Sequence, residues 1–150
     1  MVRKLARMVF WLALAQATTM AVGQLIVTRL SEGDQDSDVL RLAAVCGARQ
    51  FRSYAAELRS AKAVAAMGAL DLDLAHAHLA AEGASLELQA GMGAIRVVVP
   101  ADWSVRMETI AAAGGCQTRV TPAEDLPENA PRLSVRAVAL MGGVLVTNQA

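Results

Sequence analysis

From Val39 onward the chain alternates between apolar and polar positions. Leu70, Leu72 and Leu74 enclose Asp71 and Asp73, a period of two that puts the leucines on one side of a strand and the carboxylates on the other. Leu86-Glu87-Leu88-Gln89, Val105-Arg106-Met107-Glu108 and Leu133-Ser134-Val135-Arg136-Ala137-Val138 repeat the pattern. Each predicts a short, half-buried strand. Ile95 to Val99 is more continuously apolar, and Pro100 stops it. The stretch Tyr54 to Ala63 is rich in helix formers. It sits between two repeat units in regular register, and on that ground it is expected to complete a coil and not to insert a helix.

The strands belong to a repeat whose leading residue is glycine. The copies are Gly47-Ala48-Arg49-Gln50-Phe51, Gly68-Ala69-Leu70-Asp71-Leu72, Gly93-Ala94-Ile95-Arg96-Val97, Gly114-Gly115-Cys116-Gln117-Thr118 and Gly142-Gly143-Val144-Leu145-Val146. The leading glycines are 21, 25, 21 and 28 residues apart. A unit of that length holds one coil of a solenoid, which buries its apolar side only by stacking on its neighbours. Glycine lets adjacent backbones approach closely at such a corner. About five coils at about 4.8 Å each give a rod on the order of 24 Å long, with unpaired strand edges at its ends. The longest spacing holds Thr121 to Pro131, with Pro122, Pro127 and Pro131, an expected surface loop suited to meeting a partner.

Composition narrows the picture. The chain is 55% hydrophobic with mean hydropathy +0.37, yet only 3% aromatic, so the core must be built from Ala, Val, Leu and Ile. Fourteen basic residues balance fourteen acidic ones. That balance gives no electrostatic footprint for nucleic acid.

The N-terminus departs from the repeat. Arg3, Lys4 and Arg7 precede an uncharged run from Met8 to Thr28, which as a helix spans roughly the 30 Å core of a bilayer. Residues 1–30 therefore read as a membrane anchor holding the lipid bilayer through residues 8–28. A cleaved signal peptide with a site at Ala15-Gln16-Ala17 and a buried soluble helix are the rivals. The basic cluster before the span favours an extracytoplasmic body on a single-pass membrane protein. Residues 31–38 form an acidic linker, and residues 39–150 the solenoid. Cys46 and Cys116 read as buried free thiols, with a disulfide as the alternative.

Candidate chemistry is sparse. His76 and His78, two apart on a strand, would face one side and approach one metal ion with Asp71 or Asp73 nearby, but no further ligand has the spacing to complete a set. Solvated histidines are the expected reading. Asp71 and Asp73 read as a polar strand face, since nothing near them supplies a nucleophile. Trp103 follows Pro100 and is expected to cap the apolar interior at a turn, with ligand stacking as its rival. Ser104 and Ser134 lack a nucleophile motif. Gly91-Met92-Gly93-Ala94 lacks the Lys-Ser/Thr of a phosphate loop. Arg41, Arg49, Arg52, Arg59, Arg96, Arg106, Arg119, Arg132 and Arg136 are expected to project outward. No catalytic, cofactor or metal site is assigned, and the chain is not expected to be an enzyme.

Gly68-Ala69-Leu70-Asp71-Leu72-Asp73-Leu74, Val99-Pro100-Ala101-Asp102-Trp103-Ser104-Val105, Gly114-Gly115 and the closing Gly142-Gly143-Val144-Leu145-Val146 carry a family resemblance. Residues from about 40 to 148 resemble the LiaF-like C-terminal domain of bacterial cell-wall-active-antibiotic response proteins. The resemblance implies a β-helical, toastrack-like stack associated with membrane-bound control of envelope-stress signalling. Alanine follows the glycine in three units where that family often has a second glycine. The LiaF regulators carry several membrane helices, whereas this chain has at most one span.

The expected protein is all-β, a small right-handed single-stranded β-helix or β-solenoid of about five coils, preceded by one N-terminal transmembrane α-helix. Its expected role is a non-enzymatic, membrane-tethered interaction or regulatory domain of the bacterial envelope. The expected partners are an unidentified membrane or envelope protein and further copies of itself in a homo-oligomer, and not nucleic acid. A self-assembling β-solenoid scaffold is the alternative.

Overall fold

The structure, a computed structural model, describes residues 33–148, so the expected anchor helix lies outside the described residues. Within them no helix is long and apolar enough to cross a membrane. The described chain is all-β. Its strands are β1 (Val39–Arg52), β2 (Ser60–Asp73), β3 (Ala84–Ala90), β4 (Ala94–Val98), β5 (Ser104–Ala111), β6 (Gly115–Arg119), β7 (Arg132–Ala139) and β8 (Gly143–Thr147), with one 3-10 turn at Ala123–Asp125. Every pairing between them is parallel, and the sheet wraps into a solenoid-like stack.

Each glycine unit marks the corner of one rung. β1 and β2 run through the corner unbroken, whereas β3–β4, β5–β6 and β7–β8 are divided by it. In register, Leu40, Ala61, Leu86, Val135 and Met107 form one column, and Leu42, Ala63, Leu88, Ala137 and Thr109 the next. Across the corner, Leu70, Ile95, Val144 and Cys116 stack, as do Leu72, Val97, Val146 and Thr118. These columns point inward. Leu58, Leu72, Leu74, Leu86, Leu88, Ile95, Val97, Leu133 and Val135 are buried in one continuous apolar core. Small and branched side chains fill it, as the low aromatic content requires.

The corner glycines touch backbone to backbone. A Cβ added at Gly68 would meet the carbonyl oxygen of Gly47. One at Gly93 would meet that of Gly68, one at Gly142 that of Gly93, and one at Gly114 that of Gly142, in each case inside 3.0 Å. Only glycine lets rungs lie that close at this point. The repeat read from the sequence is thus the repeat of the structure.

Those contacts also fix the rung order, which is not the chain order. β7 lies between β3 and β5, and β8 between β4 and β6. The chain lays down residues 39–52, 60–73 and 84–98, skips one slot to lay down 104–119, and returns to fill the slot with 132–147. The loop Thr121–Pro131, expected as a surface excursion, is the return path. The inserted rung stitches both neighbours: the Val99 N–H donates to the Thr147 carbonyl (2.8 Å) and the Ser104 N–H to the Pro131 carbonyl (2.8 Å).

Tyr54 to Arg59 is not helical, and β2 begins at Ser60. The segment completes a coil: Leu58 bridges Leu79 in parallel, and the His78 N–H donates to the Ala55 carbonyl (2.8 Å). Turn thus stacks on turn along the third side of the rod.

Candidate functional site

The stack has two unlike ends. At the first rung Leu40, Leu42 and Ala44 are at most 5% exposed. Gly33, with φ of +105°, lies against Val39 and Leu40, where an added Cβ would be 2.7 Å from the Val39 carbonyl oxygen. The Tyr54 N–H donates to the Gln35 carbonyl (2.7 Å), which also accepts from the Ser53 hydroxyl (3.2 Å). Arg49 occupies the level of Leu70 in its column, and its Nη1 donates to the Ala43 carbonyl (3.2 Å). Backbone and guanidinium together lie at this end of the rod.

At the other end is the rung of β5 and β6. Each has one strand partner, β7 or β8, so its far edge is unpaired within the described residues, as is that of β1, whose one partner is β2. The inward columns end there in Val105, Met107, Thr109, Ala111, Cys116 and Thr118. Of these Thr109, Ala111 and Thr118 are exposed and the others half-buried. Ile110, on the outer side, is 56% exposed. Met107 and Thr118 meet across the interior, the threonine hydroxyl donating to the thioether sulfur (2.7 Å). An edge with free N–H and C=O groups and an apolar inner side is a template for another strand.

The residues singled out in the sequence do not gather into a chemical centre. His76 and His78 lie in the turn after β2 and not on a strand, because β2 ends at Asp73. His76 stacks on Tyr54, with ring centroids 5.6 Å apart. Asp73 is tied to Arg52 (Oδ2 to Nε, 2.8 Å) and accepts the Ala75 N–H at Oδ1 (3.0 Å). Desolvation pushes its pKa upward, but the Ala75 N–H and Arg52 outweigh it, leaving it below the ordinary carboxylate value. Asp71 lies in register with Gln50 and Arg96. Among the described residues no group of three His, Cys, Asp or Glu side chains could hold a metal ion.

Trp103, 3% exposed, packs into the core at the turn before β5. Ser104 and Ser134 sit in register with Arg132 and Arg106 on β-strands. Gly91 to Gly93 is the corner between β3 and β4. The arginines are exposed except Arg49, which is half-buried and reaches across the first rung. The thiols are free, but Cys46 is exposed and Cys116 only partly buried, contrary to the expected buried pair. Burial pushes the Cys116 thiol above its ordinary pKa. They belong to the two end rungs, four steps or about 19 Å apart at 4.8 Å per rung, too far for a disulfide within one chain.

Two further columns emerge only from the register. On the outer face Arg41, Lys62, Glu87, Arg136 and Glu108 stack in order beside a groove of about 1020 Å³. Lys62 reaches Glu87 (Nζ to Oε2, 3.2 Å). That contact, helped by Gln89, lowers the Glu87 pKa. At the corner Cys46, Met67, Met92 and Met141 precede four ladder glycines, and the three methionines are each more than half exposed. Both columns were written in the sequence at the repeat spacing, but only the rung order aligns them.

No family model, curated protein or solved structure matches the chain.

Proposed function

We propose that this protein is a non-enzymatic interaction domain that engages a protein partner through the open rung Ser104–Arg119. One observation carries the reading. Both end rungs have strand partners on one side only among the described residues, but the core positions Leu40, Leu42 and Ala44 of the first are buried, whereas Thr109, Ala111 and Thr118 at core positions of the last are exposed. A solenoid end normally needs a cap, and a strand from a partner supplies one. The finer form of the proposal is a right-handed single-stranded β-helix on a membrane anchor at residues 8–28. The LiaF-like resemblance suggests a regulatory place in the bacterial envelope-stress response, with the body outside the cytoplasm. A self-assembling scaffold needs two open ends, and the burial of Leu40, Leu42 and Ala44 at the first rung argues against it.

The experiment places a photo-crosslinking residue at Thr109 or at Gln50 of the full chain in membranes. Protein adducts at Thr109 and few at Gln50 are expected. Equal labelling at both, or none at Thr109, would refute the docking edge.

A further inference from the structure

The open edge is self-complementary. In an antiparallel pairing centred on residue n, residue n + k of one strand faces n − k of the other. Centred on Met107, such a pairing of β5 with the β5 of a second copy sets Arg106 opposite Glu108 and Glu108 opposite Arg106. Met107 then faces Met107, and Val105 faces Thr109. The charges fall on the outer side, where the register places Arg106 level with Ser134 and Glu108 level with Arg136. The apolar residues fall on the inner side, continuing the core columns. Neither Arg106 nor Glu108 has an ion-pair partner among the described residues. Opposite charges facing each other across strands are stabilising and like charges are not.

Met107 touches Thr118 across the interior, so a pairing centred on Met107 lies over the core of the rung and not at its rim.

We infer that the partner at the open rung is a second copy of this chain, joined end to end through β5 about a two-fold axis at Met107. This inference rests on the docking-edge reading above and names its occupant. Such an interface is isologous. It uses up the open rung of each copy, so this contact closes at a dimer and does not by itself grow into a filament. Arg106 and Glu108 have a rival reading as charges that keep a bare edge from pairing. The two readings differ in sign: guards repel a second strand, whereas complementary partners attract it.

The test compares the purified full chain with R106E, E108R and the double variant R106E/E108R by sedimentation in detergent, with circular dichroism to confirm the β-fold. The native chain is expected to dimerise. Each single reversal sets two like-charged pairs across the axis and should weaken the dimer about tenfold or more. The double variant restores both pairs and should restore dimerisation. In a background with both native cysteines changed to serine, Met107→Cys should form an interchain disulfide on mild oxidation, whereas Gln50→Cys should not.

A folded native chain that stays monomeric would overturn the inference, as would single reversals that leave association unchanged or strengthen it. Concentration-dependent growth beyond a dimer would also overturn it. Adducts from Thr109 to another protein, with the chain monomeric, would leave the docking edge standing and remove only the second copy. Absence of adducts at Thr109 would remove both.

Discussion

Leu40, Leu42 and Ala44 of the first rung are shielded to 5% exposure or less, whereas Met107, Thr109 and Ala111, their register equivalents four rungs away, are half-buried or exposed. Both sets come from the same repeat. At the first end the Gly33 backbone lies against Val39 and Leu40 and the Arg49 side chain reaches the Ala43 carbonyl, whereas at the other the core positions stand open. A repeat specifies how a rung stacks, and its departures from the repeat specify where stacking stops. Threonine at two inward positions and a half-buried thiol at a third are tolerable on a last rung. They would be costly in the middle, where a hydroxyl needs a partner.

The rung order behind this contrast can be broken most severely by deletion. Removing residues 132–150 takes out the only strand partners that β5 and β6 have among the described residues. Amide protection over Ser104–Arg119 should vanish, while Val39–Val98 keeps its own pairings and most of its protection. In a stack laid down in chain order the same truncation would shorten the rod and leave residues 104–119 protected. Hydrogen exchange distinguishes the two.

The corner ladder gives the next largest effect. Gly142→Ala drives a methyl against the Gly93 carbonyl in the middle of the stack and should cost about 3 kcal/mol or more in chemical denaturation. Gly115→Ala, on the last rung, meets nothing within 4 Å and should change stability by less than about 0.5 kcal/mol. Within one core column, Leu88→Ala removes a fully buried side chain and should cost about 2–5 kcal/mol. Thr109→Ala, in the same column on the open rung, should stay within about 0.5 kcal/mol. Comparable losses at both sites would mean that the last rung is as enclosed as the middle.

The smallest effect concerns the tie between the first two rungs. Asp73, held to Arg52, has a lowered pKa in the folded state, so its contribution is present above the unfolded carboxylate pKa and fades as pH falls through the folded one. Asp73→Asn should lower stability by the fraction of a kcal/mol usual for solvent-facing pairs. The gap to the native protein should be constant from neutral pH to about pH 5 and close below about pH 4. A gap that widened in acid would contradict the assignment.

Much of the fold was legible in the sequence. The glycine units, the inward leucines and the coil-completing role of Tyr54–Ala63 follow from period and register. The rung order was not, because spacing along the chain does not say which slot a coil occupies. The signal was nevertheless present: Met107, Thr109, Cys116 and Thr118 suit a terminal rung, while Leu133, Val135, Ala137, Val144 and Val146 suit an enclosed one. Twelve or so residues between the two rungs allow the return. The alternation that ends at Leu74 suggests a strand through His76 and His78, but β2 ends at Asp73. The turn hydrogen bond from the Ala77 N–H to the Leu74 carbonyl (3.0 Å) lies just beyond the strand end. Arg49 reads as outward because arginine usually is, yet at the first rung it takes the level of Leu70 and its guanidinium reaches the Ala43 carbonyl. The open edge of residues 104–119 is not legible in chain order, where their glycine unit stands fourth of five.

The most direct measurement is hydrogen exchange on the full chain over a series of protein concentrations. Amides of Ser104–Ala111 should gain protection as concentration rises, while those of Val39–Arg52 stay constant. Protection gained at Val39–Arg52 with none at Ser104–Ala111, or no concentration dependence at either end, would contradict the open last rung as the working end of this molecule.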